Sequence, residues 1–191
     1  MSYTPTCGVT GGARRMPAKI LLLRGVNVGG AGKLPMAGFR AVLERLGLGQ
    51  VQTYIQSGNA VFDSVLGADK LGPMIRDAIR AEFGFAPETF ILDRAGLDGA
   101  LTDHPFADAD PACVHVFFLR DTPKPDDDAL RVLAGAGDGW HCGPCRFTLH
   151  APDGFGRSKL AARLDKHLPG PMTARNLRTL AALLRLVDGG P

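Results

Sequence analysis

With 191 residues, 45% of them hydrophobic and 21% charged, the chain has the balance of an ordinary globular protein, long enough for one sizeable core or two small subdomains sharing one. No apolar run approaches the roughly 20 residues of a membrane span, and residues 1–15 lack the apolar segment of a secretory signal, so a cytoplasmic, membrane-free protein with reduced thiols is expected. The net charge of +3 is unevenly spread: residues 1–62 carry a net of +6, residues 93–128 a net of −6 and residues 154–191 a net of +5. If the two basic ends meet in space, they make a positive surface suited to a phosphate, a nucleotide or nucleic acid.

Residues 1–17 read as a disordered leader, and Met16 is a candidate start just ahead of the first strand, Lys19–Leu23. A glycine-rich loop over 25–35 follows. Apolar residues at 36, 39, 42, 43 and 46 then predict a helix that Gly47 and Gly49 end. Val51–Gln56 alternates as a strand and turns through Ser57-Gly58-Asn59 into Ala60–Phe62. Leu71, Met74, Ile75, Ala78, Ile79 and Phe83 mark a helix over 68–83, before a strand at Glu88–Leu92. This β-α-β-β-α-β order is ferredoxin-like.

The second half partly repeats it. A short helix near Gly96–Leu101 precedes a strand at Val114–Leu119, a helix at Asp126–Leu133 and a hairpin of 139–141 with 146–150. Helices at Ser158–Leu168 and Ala174–Val187 close the chain. The fold class is therefore α+β in two intimately packed subdomains: 18–92 ferredoxin-like, and 93–188 a related βαββ arrangement closed by two C-terminal helices.

The loop Arg24-Gly25-Val26-Asn27-Val28-Gly29-Gly30-Ala31-Gly32-Lys33 lies between strand and helix, where backbone N–H groups can converge on an anion. It is not a P-loop, because Asn27 stands at the first required glycine and Leu34 where Ser or Thr would bind magnesium; nor does a G-x-G-x-x-G register fit. Arg24 and Asn27 nevertheless supply polar groups that a plain connector does not need. Gln56-Ser57-Gly58-Asn59 alone reads as turn chemistry, but its side chains could face the first loop. Ser158 is a natural N-cap. Arg157 and Lys159 beside it put positive charge at a helix's positive end, a cost that an anionic ligand would relieve. Thr173-Ala174-Arg175-Asn176 repeats the theme, with Thr173 as the capping hydroxyl of the last helix.

Cys142-Gly143-Pro144-Cys145 is similar to a redox motif, but the alternating strand pattern of 146–150 follows it, so a hairpin tip explains it better. The other cysteines and the five histidines show no metal-ligand spacing, no nucleophile elbow surrounds Ser57 or Ser158, and no cofactor is implied. His115 alternates inside a strand and reads as packed.

Together Leu22–Gly30, Thr53–Asn59, Ser158-Lys159-Leu160 and Thr173–Asn176 resemble the bacterial domain-of-unknown-function family 1697, over about 19–187. The resemblance implies a two-part α+β architecture related to ferredoxin-like folds, and no established activity. One departure is Leu177, where the family pattern has Trp after Ala-Arg-Asn. The expected function is a binding protein for a small anionic or phosphate-bearing ligand, a nucleotide or RNA. Arg24, Lys33, Lys159 and Arg175 would contact phosphate. Asn27, Gln56, Asn59 and Asn176 would orient the ligand, with Gly29, Gly30, Ser57 and Ser158 beside them. Stacking aromatics are scarce, which favours a small ligand over a long strand. The alternatives are an enzyme using Lys33 or Lys159 on a small anionic substrate, and a structural or regulatory partner protein. The ligand readings require Arg24, Asn27, Asn59, Lys159 and Arg175 to converge in one cleft.

Overall fold

The structure is a computed structural model and describes residues 16–29, 32–168 and 170–190. The expected leader, apart from Met16 and Pro17, lies outside the described residues, as does Gly30 of the first loop. Among the described residues no helix is long and apolar enough to cross a membrane.

The first half runs β1 (Ala18–Leu23), α1 (Met36–Arg45), β2 (Gly49–Tyr54), β3 (Asn59–Asp63), α2 (Ala68–Phe83) and β4 (Thr89–Asp93). The strands form an antiparallel sheet in the order β2-β3-β1-β4, the ferredoxin-like arrangement expected from the sequence. Helix α2 stops at Gly84, whose φ of +78° is the left-handed turn that a residue without Cβ adopts freely.

Helix α3 (Arg94–Thr102) follows β4 without a loop, because the Asp93 carboxylate accepts from the Gly96 N–H and caps it. The second half continues as β5 (Val114–Phe118), α4 (Asp127–Leu133), β6 (Gly139–Gly143), β7 (Arg146–His150), α5 (Lys159–Arg163), β8 (Thr173–Asn176) and α6 (Leu177–Val187). Its sheet order is β6-β7-β5-β8, again antiparallel. The βαββ arrangement expected here is thus completed by a fourth strand, and each half is a full β-α-β-β-α-β unit.

Two expected helices change accordingly. The one placed at 174–187 begins only at Leu177: residues 173–176 pair with β5, and it is Asn176, not Thr173, that caps α6 by accepting from the Thr179 N–H. The helix at 158–168 is α-helical only over 159–163 and tightens into a 3-10 turn at 164–166.

The layers follow from the strand alternation. In β1, Leu21 and Leu23 face α1 and α2, packing with Phe39, Phe62, Ile75 and Ile79. Ile20 and Leu22 face the opposite way, into a seam shared with Val114, Val116 and Phe118 of β5 and with Leu97, Leu180 and Leu183 of α3 and α6. The other face of the second sheet, Phe117, Phe147 and Leu149, packs on Leu130, Leu160 and Leu164. A central strand buried on both faces explains why β1 reads as a continuous apolar run.

Candidate functional site

The first loop and the β2–β3 turn meet at the end of β1. Asn27, at φ +55°, uses its side chain as a brace: Nδ2 donates to the carbonyls of Leu34 and Gln56, both at 2.9 Å, and Oδ1 accepts from the Leu34 N–H at 2.8 Å. Asn is one of the few non-glycine residues that tolerate this left-handed backbone. Gly58 must be glycine on two counts. Its φ is +73°, and an added Cβ would stand 2.6 Å from Val26 Cγ2 and 2.8 Å from Leu23 Cβ.

Asn59 is wholly buried and donates to Ser57 Oγ and the Tyr54 carbonyl. Its Oδ1 accepts from Arg175 Nε at 2.6 Å. Arg175 lies opposite Val116 in the β5–β8 ladder and so points into the seam. Its Nη1 donates to Thr173 Oγ1 and the Ala174 carbonyl, and its Nη2 to the carbonyls of Leu23 and Ser57. A guanidinium has five N–H donors, and all five are taken. No carboxylate faces the group; burial pushes its pKa down to about 10. Arg175 is therefore a buried clamp between the halves, and as it stands it has no donor left for a phosphate.

The expected convergence is thus split. Asn27, Gln56, Ser57, Asn59 and Arg175 do gather, but they bond to one another, through the Gln56 and Ser57 carbonyls and the Ser57 hydroxyl. Arg24, Gly29, Lys33 and Gln56 are exposed around them. The Arg24 N–H donates to the Glu88 carbonyl. Asn176 is spent as the α6 cap. Ser158 caps α5 through the Ala161 N–H and donates to Asp138 Oδ2. Ser158 and Lys159 line a separate cavity of about 370 Å³ in the second half, with Arg157 and the carboxylates of Asp138 and Asp153.

A cluster that the motif reading did not single out stands on the seam next to the clamp. Arg76 of α2 and Arg120, just past β5, line a polar notch of about 190 Å³ with Asp69, Gly72, Pro73 and Thr89. Arg76 Nε is buried without a hydrogen-bond partner among the described residues. Arg120 Nη2 donates to Glu88 Oε2 at 3.2 Å and the Thr89 carbonyl at 2.9 Å, leaving its Nε and Nη1 without an acceptor among the described residues. Its guanidinium lies 4.9 Å from the centre of the Phe90 ring. Ala68 and Arg120 also line a second cavity of about 300 Å³, walled mainly by apolar residues of β4, the end of β5 and the β6–β7 turn, with Arg146 also in its lining. Pro73 has no N–H, so the Asp69 carbonyl lacks its intrahelical donor. A proline in an otherwise regular helical stripe, beside the fully packed Gly72, was the available sequence signal.

The Cys-Gly-Pro-Cys segment is the hairpin tip expected, with Cys145 at φ +52° and Gly143 paired to Arg146. Cys142 and Cys145 are free thiols, and burial together with Asp127 pushes the Cys142 thiol up, opposite to an activated redox cysteine. Among the described residues no group of three or more His, Cys, Asp or Glu could hold a metal ion.

Comparison with known proteins adds the following. A solved structure, that of the conserved bacterial protein SP0830 from Streptococcus pneumoniae, superposes with a TM-score of 0.68 at 24% identity, covering 90% of this chain and 99% of that one, a likeness of fold. No curated protein matches the chain. The family model described as "Protein of unknown function (DUF1697)" matches residues 16–143, more than half of the chain, and the chain belongs to that family.

Proposed function

We propose that the protein binds a small phosphate-bearing ligand, with the phosphate seated in the notch between Arg76 and Arg120. One observation carries this reading: the Arg76 Nε is buried and has no acceptor among the described residues. A guanidinium stays charged at all ordinary pH, and a desolvated donor without a partner costs roughly 1–3 kcal/mol, more when charged. An anion in the notch removes that cost and reaches the spare donors of Arg120 as well. The backbone bond of Arg24 to Glu88, next to Thr89, brings the positive first loop close to the same place. The enclosed size favours a small ligand over a long nucleic-acid strand. The notch presents guanidinium groups, one carboxylate and one hydroxyl, a set suited to holding an anion more than to proton transfer at neutral pH.

The test is calorimetric titration of the full chain with inorganic phosphate at low and at high salt. Binding is expected at low salt, weakening with ionic strength and abolished in Arg76→Ala and in Arg120→Ala. Equal binding by the parent chain and Arg76→Ala would overturn the proposal.

A further inference from the structure

We infer that the ligand is a nucleoside monophosphate whose base lies in the apolar crevice between the two halves, an inference that rests on the phosphate occupying the Arg76–Arg120 notch. Two residues, Ala68 and Arg120, line both the 190 Å³ notch and the 300 Å³ crevice, so a ligand anchored in one reaches the other. The two cavities differ in chemistry. Most of the crevice wall is apolar, from Phe90 and Leu92 of β4, Phe118 at the end of β5, Leu119 just after it and Pro144 of the β6–β7 turn, while Arg120 and Arg146 supply its polar lining. A bare inorganic anion leaves that apolar surface unused. Its volume stands at the small end of ligand pockets, the scale of one ring system and not of a chain.

Three further features select among organic phosphates. First, the Arg120 guanidinium carbon sits over the Phe90 ring, 4.9 Å from its centre, and a planar base can pack against this cation–π pair. Second, Asp69 lines the notch beside the two arginines. A carboxylate there lessens the hold of the two guanidiniums on a bare anion without abolishing it, and it accepts hydrogen bonds from hydroxyls next to a phosphate. Third, Pro73, which also lines the notch, withholds the intrahelical N–H from the Asp69 carbonyl and so leaves that carbonyl acceptor capacity. Phosphate, hydroxylated sugar and flat base match guanidinium pair, acceptors and apolar slot in turn. Because Arg76 and Asp69 belong to the first half and Arg120, Phe118 and Pro144 to the second, the ligand spans the seam.

Calorimetric titration of the full chain compares inorganic phosphate, ribose 5-phosphate, adenosine and uridine monophosphates, and a 5′-phosphorylated RNA hexamer. The mononucleotides are expected to bind at least about tenfold tighter than ribose 5-phosphate, the scale of one stacked base. Pro144→Trp, on an exposed turn, fills the crevice; it should remove that tenfold and leave inorganic phosphate binding unchanged. A hexamer that binds like a mononucleotide assigns the same chemistry to an RNA end. Affinity that grows with RNA length overturns the inference, and so do mononucleotides binding no tighter than ribose 5-phosphate, or no effect of Pro144→Trp. Those outcomes leave the notch standing. Loss of nothing on Arg76→Ala overturns the notch, and this inference with it.

Discussion

Replacing Arg175 by alanine removes hydrogen bonds to Asn59 Oδ1, Thr173 Oγ1 and the carbonyls of Leu23, Ser57 and Ala174. Two effects oppose. Burial lowers the pKa from 12.5 to about 10, which sets roughly 3 kcal/mol against the charged form, and truncation lifts that penalty. Against it, each bond from a charged donor is worth roughly 1.5–3 kcal/mol, and five are lost. The wholly buried Asn59 Oδ1 and the Ser57 carbonyl are left without donors, at roughly 1–3 kcal/mol each, while the Leu23 carbonyl keeps Thr173. These terms overlap and neighbouring bonds do not add, so their sum is an upper bound; the range for removing one partner of a buried charged network sets the expected net loss at about 3–5 kcal/mol. Arg175→Lys should recover only part of it, because three donors on one point cannot serve five acceptors spread over two sheets. Urea unfolding followed by circular dichroism reads the loss. A double-mutant cycle with Asn59→Ala should give a coupling on the order of 1–3 kcal/mol. A loss below about 1 kcal/mol for Arg175→Ala, or strict additivity with Asn59→Ala, would refute the clamp.

Three more outcomes are expected. Gly58→Ala, whose Cβ would stand 2.6 Å from Val26 Cγ2 at φ +73°, should cost roughly 2–3 kcal/mol; an unchanged thermal midpoint would show that the turn can shift freely. Ile55 is 52% exposed and held at φ +48°, an unfavourable backbone for a β-branched residue, so Ile55→Asn should stabilise the chain by roughly 0.5–1 kcal/mol in the same unfolding assay. His115 stacks on Phe155 at 4.2 Å, and burial lowers its pKa below 6.5, outweighing the opposite pull of the Cys113 backbone. The unfolded chain then takes up the proton first, so stability is full above about pH 6.5 and falls as the pH drops towards the folded-state value. His115→Phe should flatten part of that fall between about pH 7 and pH 5, His104, lowered by the same cause, accounting for more; an unaltered pH profile would rule His115 out.

The first half was legible in the sequence because β1 is an apolar run, β2 alternates and its helices keep a clean apolar stripe, so local pattern and final fold agree. The fourth strand of the second half was not. Thr173–Asn176 has only four residues and runs directly into the pattern of α6, and nothing local separates the two. It is a strand because β5 offers a free edge and because Arg175 and Thr173 bond across the seam to Leu23. Likewise, the company of Asn27, Gln56, Asn59 and Arg175 was readable, but its purpose was not. Most acceptors of Arg175 are backbone carbonyls, which no residue pattern displays. Ser158 and Lys159 carry as suggestive a motif, yet the topology puts them in another cavity. Arg76 and Arg120 belong to no motif, and it is the packing of α2 on β4, whose Thr89 carbonyl Arg120 reaches from the second half, that brings them together.

Leu23 and Thr89 are cross-strand partners at one end of the first sheet, and each gives its carbonyl to an arginine from the second half: Leu23 to Arg175, Thr89 to Arg120. The halves are thus gripped at two adjacent points by the same chemistry. What differs is how much of each guanidinium is spent. Arg175 is 9% exposed and has every donor engaged, so it can hold the seam but recruit nothing further. Arg120 has a side chain 52% exposed, shares one terminal nitrogen between Glu88 and Thr89, and keeps its other donors for the notch beside Arg76. The first arginine fixes the distance between the sheets beside the second; on the proposal that a phosphate sits at Arg120, this spares the ligand the entropy of closing the seam. Loosening the clamp while the fold persists, as in Arg175→Lys, should therefore weaken phosphate binding at Arg76 and Arg120 although Arg175 touches no ligand. Unchanged binding in a folded Arg175→Lys chain would separate the two arginines and leave the clamp purely structural.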